Sequence, residues 1–422
     1  MIIVAVFVLS LLLGFPIIMV IAITSFVYIM FQGIPPIVIA QRIFVGMDSF
    51  VLLAIPLYIL MGNIMTEGGI TKKLISWCNL LVGHVRGGLG HVNVLVSIIF
   101  AGISGSGSAD VSAIGNILIP AMVREGYDRE FSTAITAASS CISPIIPPSI
   151  IFVIYGVVAE VSISHMFAGG IIPGLIMGGL QMLMVWYLAK RRNYPKREER
   201  ASLSAIFKGT REAILSLVGP GIILFGILGG IFTPTEAGAV AVVYSLILGL
   251  FIYKELNWSK LPHIIWETAL TTAAAYFLVG TSMVFAWILA AERIPQIIAQ
   301  AITSITNNPV IILLLFNLLF LIVGTMMEAI SAIIILTPIL LPVASTVGID
   351  PIHLGVVMCV NLAVGFITPP VGCCMFIACM VGKITVERFI KAIWPFLLTN
   401  IVTILIISLF PKFILWPTTF LK

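Results

Sequence analysis

The chain has 422 residues, of which 60% are hydrophobic and 9% are charged, and its formal net charge at pH 7 is +5. A soluble globular domain carries roughly 25% charged residues, so this composition excludes a soluble fold. Apolar runs of roughly 17–25 residues, long enough to cross a bilayer as helices, recur along the chain, and the period-two alternation of a membrane β-barrel is absent. The sequence therefore predicts an all-α polytopic membrane protein.

The first half of the chain, residues 1–189, is predicted to combine spans with a hairpin and a broken helix. Residues 2–31 are apolar but interrupted by Gly14-Phe15-Pro16, so they form either one long tilted segment or two short ones. The elements that follow are a span at 48–66, an amphipathic interfacial helix at 72–84, a re-entrant hairpin at about 90–122, a broken helix at about 130–158 and a span at 165–189. Each hairpin arm is expected to have about 12 residues, which is below spanning length.

Residues 190–212 are predicted to form a basic linker between the halves. The linker opens with Lys190–Arg200, the most charged stretch of the chain, and the positive-inside rule places it in the cytoplasm. The second half, residues 213–422, repeats the plan of the first. Its predicted elements are spans at 213–232, 237–253 and 268–290, an interfacial segment at 294–306, a hairpin at about 309–345, a broken helix at about 350–382 and a last span at 386–410.

A constant shift of 222 residues relates the two halves. It carries Asp128 to Asp350, Pro147-Pro148 to Pro369-Pro370, and Phe167 to Phe389. Counting spans outward from a cytoplasmic linker gives each half an odd number of crossings, so the sequence predicts two inverted structural repeats. The positions of most lysines and arginines agree with this topology. The main exceptions are Arg42, Arg293, Lys412 and Lys422.

Each broken helix is interrupted by a Pro-Pro pair, beside which lie small or hydroxyl-bearing residues. Proline removes an amide donor and clashes with the preceding turn, and freed carbonyls at membrane depth must line a cavity or meet buried partners. Two such breaks in corresponding positions point to a transporter binding site. Candidate oxygen ligands near the breaks are Ser139, Ser140, Ser143 and Ser149 in the first half, and Asn361, Gly365 and Thr368 in the second. No acidic cluster is present, so sodium is favoured over a divalent ion. The alternative is a kink satisfied by neighbouring helices.

The hairpin tips are the other candidate sites. The first tip, Ser104–Asp110, reads SGSGSAD, and its glycines allow close backbone approach. Helix ends that face each other there would bind an anion through amides or a cation through carbonyls. Asp110, and Glu328 at the related position of the second tip, add intramembrane charges that are costly and usually functional. The alternatives are small-residue helix packing and structural capping by the acidic side chains.

No lysine or arginine is predicted at mid-membrane, so an anionic substrate would be held by helix N-termini, hydroxyls and bound cations. The candidate substrate-binding residues are Ser108, Asp110, Ser139, Pro147, Glu328, Asn361 and Pro369.

Three stretches of this sequence resemble a known family. They are the SGSGSAD tip, residues 117–156 (ILIPAMVREGYDREFSTAITAASSCISPIIPPSIIFVIYG) and residues 361–378 (NLAVGFITPPVGCCMFIA). They resemble the large membrane (M) subunit of tripartite ATP-independent periplasmic (TRAP) transporters, and the resemblance covers essentially the whole chain. It implies a sodium-driven, elevator-type secondary transporter of bacterial inner membranes that takes up organic acids such as C4-dicarboxylates and sialic acids. The hairpins and broken helices would form the moving transport domain, and the other helices the scaffold.

The same resemblance implies partners and ion sites. The expected partners are a small four-helix membrane subunit and a soluble periplasmic substrate-binding protein, and no cofactor is expected besides sodium as the coupling ion. Nothing precedes the first span, so the small subunit is expected to be a separate chain. Each sodium site would lie between a hairpin tip and its broken helix. The implied ligands are Ser104, Ser106 and Ser143 on one side, and Gly324, Gly365, Thr368 and the backbone of Val371 on the other.

Other functions remain as alternatives to a tripartite transporter. A stand-alone divalent-anion:sodium symporter of related inverted-repeat architecture would need no binding protein. An enzyme is disfavoured because the hairpin serines have no partnering histidine within the predicted span, and no Walker A sequence for ATP hydrolysis is present. The six cysteines form no Cys-x-x-Cys pair, which argues against a disulfide framework or a thiolate metal site. A channel is disfavoured because two occluding hairpins build the site.

Overall fold

The computed structural model describes residues 2–196, 200–369 and 372–421, and the secondary structure over these residues is helical. The helices of the first half are α1 (Ile2–Leu12), α2 (Ile17–Phe31), α3 (Ile37–Met47), α4 (Ala54–Glu67), α5 (Ile70–Val82), α6 (Gly88–Ser104), α7 (Gly107–Arg124), α8 (Arg129–Ser140), α9 (Ile150–Val158) and α10 (Ile163–Arg191). The helices of the second half are α11 (Leu203–Leu228), α12 (Pro234–Ile247), α13 (Leu261–Ala291), α14 (Ile294–Ile305), α15 (Pro309–Met326), α16 (Ala329–Thr346), α17 (Pro351–Gly365), α18 (Cys373–Gly382), α19 (Val386–Leu409) and α20 (Lys412–Thr418).

Some sequence predictions fall on residues that the structure does not describe. They concern the backbone of Val371 as an ion ligand, Pro370 of the second Pro-Pro pair, Lys422 as a topology exception, and residues 197–199 of the linker.

Eight segments of the described residues are long and apolar enough to cross a membrane, which confirms a polytopic membrane protein. They are Phe50–Glu67, Ile163–Arg191, Leu203–Leu228, Pro234–Ile252, Trp258–Ala291, Pro309–Met326, Ala329–Thr346 and Val386–Leu409. The span predicted at 268–290 is longer in the structure because α13 begins at Leu261. Residues 203–212, predicted as linker, instead form the start of α11. The short helices α3 and α20 were not predicted from the sequence.

Residues 2–31 form two short helices, α1 and α2, and not one tilted segment. Gly14 has a φ of 79°, a conformation that glycine adopts at little cost. Pro16 follows as the N-cap of α2, and it has no amide hydrogen with which to continue a helix. The helix therefore stops and restarts at Gly14-Phe15-Pro16.

The hairpin arms are longer than the sequence analysis predicted. Arms α6 and α7 have 17 and 18 residues, and α15 and α16 have 18 each. The prediction of about 12 residues is wrong, because most of the Gly/Ser run at the first tip is helical. In the structure α6 continues to Ser104 and α7 starts at Gly107, so only Gly105 and Ser106 connect the first pair of arms.

The order of elements from α5 to α10 recurs from α14 to α19. Adding 222 to the bounds of α7, Gly107–Arg124, gives 329–346, which are the bounds of α16. The same shift carries Arg129 at the start of α8 to Pro351 at the start of α17. The 222-residue shift found in the sequence therefore also relates these helix boundaries.

The two aspartates that the 222-residue shift relates, Asp128 and Asp350, make different contacts. Asp350 caps α17, because its Oδ1 accepts hydrogen bonds from the amides of Ile352 (2.8 Å) and His353 (3.2 Å). Asp128 makes no capping bond to α8. Its Oδ2 accepts hydrogen bonds from Arg192 Nη1 (2.7 Å) and from the Tyr194 hydroxyl (2.6 Å). This contact ties the residues after α10 to the start of α8.

The two broken helices lie side by side and run in opposite directions. Near the end of α9, the Tyr155 hydroxyl donates to the carbonyl of Pro351 at the start of α17 (2.7 Å). At the start of α8, Arg129 Nη1 donates to the carbonyl of Gly382 at the end of α18 (3.3 Å). The second arm of each hairpin also packs against the broken helix of the other half: α7 packs on α18, and α16 packs on α9.

The remaining helices surround the hairpins and supply the other side of the site. Helix α13 packs on α2, α3, α4 and α16, and α12 packs on α4. The short helices α5 and α14 contact the hairpins at α6 and α16, respectively. The hairpin tips therefore lie between the broken helices and the group that contains α4 and α13.

Candidate functional site

A cavity of about 990 Å³ lies where the two hairpin tips face α4 and α13. Its wall contains residues 104–109 of the first tip, residues 324–331 of the second tip, and Cys373 at the start of α18. Helix α4 contributes Asn63 and α13 contributes Thr271. Of the described residues that line it, only Glu328 carries a charge. An anion in this cavity would meet hydroxyls, amides and helix N-termini instead of a basic side chain.

The first hairpin tip and the first break meet around Asp110. This side chain is fully buried, and it accepts hydrogen bonds from the hydroxyls of Ser104 and Ser143. The Ser104 hydroxyl also accepts from the amide of Ser106 (3.2 Å), and the Ser106 hydroxyl lies 3.2 Å from that of Ser108. The structure therefore brings Ser104, Ser106 and Ser143, the predicted sodium ligands, together.

Asp110 itself is not among the described residues of the cavity wall, although its hydrogen-bond partner Ser104 is. No lysine, arginine or histidine within the described residues forms an ion pair with it. A buried carboxylate without a basic partner is costly and is stabilised by a cation or a proton. Carboxylate and hydroxyl oxygens are hard ligands, so the residues present fit a small cation such as sodium.

The first break holds the tip by close backbone contact. Helix α8 ends at Ser140, α9 begins at Ile150, and Ser149 Oγ both donates to the carbonyl of Pro144 (2.5 Å) and accepts from the amide of Phe152 (3.3 Å). A Cβ atom on Gly105, whose φ is 57°, would lie 2.8 Å from the carbonyl oxygen of Pro148. Only glycine fits at this contact. The predicted substrate residue Pro147 lies beside it, with its carbonyl facing Gly102.

The second tip and the second break meet backbone to backbone. A Cβ atom on Gly365 would lie 2.5 Å from Gly324 C and 2.7 Å from Gly324 O, so this position needs glycine, and a Cβ atom on Gly324 would lie 3.2 Å from Gly365 Cα. The Thr368 hydroxyl donates to the carbonyl of Val364 (2.8 Å). The structure therefore brings Gly324 and Gly365 together, with Thr368 in the break. Pro369 lies in the same break and is partly exposed.

The other predicted substrate residues divide into two groups. Ser108 and Glu328 line the cavity, and Glu328 occupies the N-cap position of α16 without a side-chain capping bond among the described residues. Ser139 and Asn361 are fully buried. Each is hydrogen-bonded to the first arm of the neighbouring hairpin, away from the described cavity wall.

Two polar residues that were not predicted from the sequence, Asn63 and Cys373, lie at the site. Asn63 lines the cavity and its Nδ2 donates to the Thr268 hydroxyl (3.1 Å), which links α4 to α13. Cys373 lines the cavity and is the one exposed cysteine of the six. The polar side chain of Asn63 within an apolar run was a usable signal, because intramembrane polar groups usually have a function. Cys373 gave no such signal.

Comparisons with known proteins agree with this architecture. The solved structure of the Alcanivorax borkumensis YdaH transporter is similar with a TM-score of 0.62 over 89% of this chain and 87% of that one; at 17% identity this shows the fold alone. The chain is 41% identical over 386 residues to the sialic acid TRAP transporter large permease protein SiaM of Vibrio cholerae, covering 90% of each. It is 39% identical over 373 residues to the C4-dicarboxylate TRAP transporter large permease protein DctM of Pseudomonas aeruginosa, covering 88% of this chain and 87% of that protein.

The family model for the DctM component of the tripartite ATP-independent periplasmic transporter matches residues 3–413. The substrates for which these relatives are named differ from one to the other. The chain therefore belongs to the DctM family of TRAP transporter large permeases, which are multi-pass proteins of the bacterial inner membrane and are transporters, not enzymes.

Proposed function

We propose that the chain is the large permease of a TRAP system that takes up an organic acid of the sialic acid or C4-dicarboxylate class, driven by sodium and without ATP hydrolysis. The acid would be delivered by a periplasmic binding protein, and a small four-helix membrane subunit would complete the permease. Family membership and the relatives named for these substrates support this proposal.

One observation carries the sodium dependence: the buried Asp110 carboxylate, held by Ser104 and Ser143 where a hairpin tip meets a helix break. A cation bound there would neutralise the carboxylate and use both hydroxyls as ligands. In this proposal Asp110 is a sodium ligand. The second sodium site would use carbonyls of Gly324 and Gly365 with Thr368, where two backbones already approach closely.

The substrate would bind in the cavity between the tips, with Ser108 and Glu328 as wall contacts. Helices α7, α16 and α18 begin at this cavity, so their N-termini offer partial positive charge to a carboxylate. Sodium in the first site would cancel the negative charge of Asp110, and sodium in the second site, which has no acidic ligand, would add positive charge near the wall. Sodium would then raise substrate affinity and substrate would raise sodium affinity by the same factor.

The transport movement is proposed to be that of an elevator. The hairpins and broken helices would move as one body past α4, α13 and the other scaffold helices. The 222-residue shift between helix bounds and the opposite directions of the two broken helices support an inverted repeat. An inverted repeat gives the two sides of the membrane equivalent hairpins, as alternating access requires.

The test is uptake by proteoliposomes that contain this chain and its small subunit, with radiolabelled sialic acid or succinate on its binding protein. An inward sodium gradient should drive accumulation without ATP, and omitting the binding protein should abolish it. Accumulation that is unchanged when potassium replaces sodium would overturn the proposal. Uptake by this chain alone, without binding protein or small subunit, would instead establish the stand-alone symporter.

A further inference from the structure

We propose that two pairs of buried polar side chains, Asn93–Ser139 and Asn317–Asn361, are positioning residues for the two sodium sites. Each pair ties the first arm of a hairpin to the first part of the broken helix that completes the same site. The inference rests on the sodium sites proposed above, and it assigns Ser139 and Asn361 to ion-site geometry in place of the substrate contacts that their sequence positions indicated.

The first link joins α6 to α8 through four buried side chains. Ser139 Oγ donates to Asn93 Oδ1 (3.0 Å) and accepts from Ser97 Oγ (2.8 Å). Asn93 Nδ2 donates to Thr136 Oγ1 (2.7 Å). Each of these side chains is at most 1% exposed. The link therefore lies in the protein interior, where water cannot replace a lost partner.

The second link joins α15 to α17 and continues to α19. Asn361 Nδ2 donates to Asn317 Oδ1 (2.9 Å) and to the carbonyl of Val357 (2.7 Å). Asn317 Nδ2 donates to Ser408 Oγ (2.9 Å). Asn361 is fully buried. A hydrogen-bonded amide pair thus fixes the first arm of the second hairpin against its broken helix.

The two links occupy the same place in the repeat. Ser139 and Asn361 are 222 residues apart, and each precedes a proposed ion-site residue, Ser143 or Gly365, by four residues. Four residues is about one helical turn, so each link lies one turn before its proposed ion-site residue. The partners of Ser139 and Asn361 on the hairpin arms, Asn93 and Asn317, are not related by this shift, because adding 222 to 93 gives 315 and not 317. The same connection is therefore made by different side chains in the two halves.

The physical consequence concerns the register between tip and break. A buried amide or hydroxyl that loses its hydrogen-bond partner destabilises the structure by its full free energy of desolvation. Sliding an arm along the broken helix would separate Asn93 from Ser139, or Asn317 from Asn361, so each link favours one register. That register sets how closely Ser104 approaches Ser143, and how closely Gly324 approaches Gly365.

A test must separate positioning from simple helix packing. The variants Ser139→Ala, Asn317→Ala and Asn361→Ala, purified with the small subunit, are assayed for sodium dependence of thermal stability and of uptake. Each single variant should raise the half-saturating sodium concentration about fivefold, which corresponds to the ~1 kcal/mol of a typical hydrogen bond. The KM for substrate at saturating sodium should stay near that of the wild type.

Double substitution gives a second readout. If Asn317 and Asn361 act through their mutual hydrogen bond, the Asn317→Ala/Asn361→Ala variant should show about the same shift as either single variant. Independent contributions would multiply to about 25-fold. That result, or unchanged sodium dependence in the single variants, would overturn the proposal.

Two matched variants control for the loss of a buried polar group. Ser132→Ala removes a buried hydroxyl from the same helix α8, one that donates to the carbonyl of Asp128 (2.9 Å) in its own chain segment. Asn400→Ala removes a buried amide side chain from α19, where it pairs with Gln181. Both controls should keep wild-type sodium dependence. If they shift it as much as Ser139→Ala and Asn361→Ala do, the effect is general packing and the inference fails.

The failure of this inference is distinguishable from failure of the proposed sodium sites. Ser143→Ala and Thr368→Val alter proposed ligands directly. If these two variants shift sodium dependence and the link variants do not, only the positioning role is refuted. If none of them does, the sodium sites themselves are refuted.

Discussion

Replacing Asp110 with asparagine removes one negative charge from the proposed first sodium site while keeping the shape of the side chain. The wild-type carboxylate is fully buried and accepts hydrogen bonds from Ser104 and Ser143, and no basic side chain of the described residues neutralises it. A monovalent cation ~4 Å from a carboxylate gains about 4 kcal/mol at an effective dielectric constant of about 20. Its loss predicts a roughly 700-fold weaker sodium affinity.

The assay is thermal unfolding of the purified permease in sodium chloride and in potassium chloride at equal ionic strength. A ligand that binds only the folded state at 100 times its Kd stabilises that state by about 2.7 kcal/mol. The wild type should therefore melt at a higher temperature in sodium. Asp110→Asn should lose most of this difference, and it should be at least as stable as the wild type in potassium because no uncompensated charge is buried.

Asp48→Asn is the matched control, because Asp48 is an exposed carboxylate at the end of α3. It should keep the full sodium effect. A sodium-dependent increase in melting temperature that is equal in Asp110→Asn and the wild type would refute the reasoning.

Three further predictions test other contacts. Gly365→Ala should abolish sodium-driven uptake and lower the yield of folded protein, because the added Cβ atom would lie 2.5 Å from Gly324 C. The control is Gly179→Ala, whose added Cβ atom would have no atom within 4 Å and which should behave as wild type in the same uptake assay. A membrane-impermeant maleimide should label Cys373, the one exposed cysteine of the six. Cys373→Ser should therefore abolish labelling and Cys374→Ser should not, and mass spectrometry of the labelled peptide identifies the modified residue. Burial and the hydrogen bond to Asp128 raise the pKa of Tyr194 above its ordinary value of 10.0, so its contribution to stability is present below about pH 10 and is lost as pH rises further. Melting curves should show a smaller alkaline loss of stability for Tyr194→Phe than for the wild type, and equal losses would contradict this.

Much of the element order could be predicted from the sequence because proline, glycine and apolar run length act locally. Pro147-Pro148 lies in the break between α8 and α9, Pro369 lies in the break between α17 and α18, and Gly14-Phe15-Pro16 marks the gap between α1 and α2. Helix ends were less accurate. The Gly/Ser run at the first tip reads as loop by propensity, yet α6 extends to Ser104, and Gly105 after it closely approaches the carbonyl of Pro148 in the first break.

The candidate site was predictable in part, because function leaves polar residues in apolar runs. Ser104, Ser143 and Asp110 stand out on that ground, and the structure brings them together. Their roles were harder to infer, because burial depends on tertiary contacts. Ser139 and Asn361 look like cavity residues by their position beside the breaks, but both are buried in links to hairpin arms.

The central claim is that sodium bound at the tips and breaks drives substrate across the membrane. The most direct measurement is the flux of radioactive sodium into proteoliposomes that hold the complete tripartite system, counted together with the labelled acid. Sodium should enter in a fixed ratio to substrate, and Asp110→Asn should abolish both fluxes. Substrate accumulation without accompanying sodium, or a constant ratio that survives in Asp110→Asn, would contradict the account.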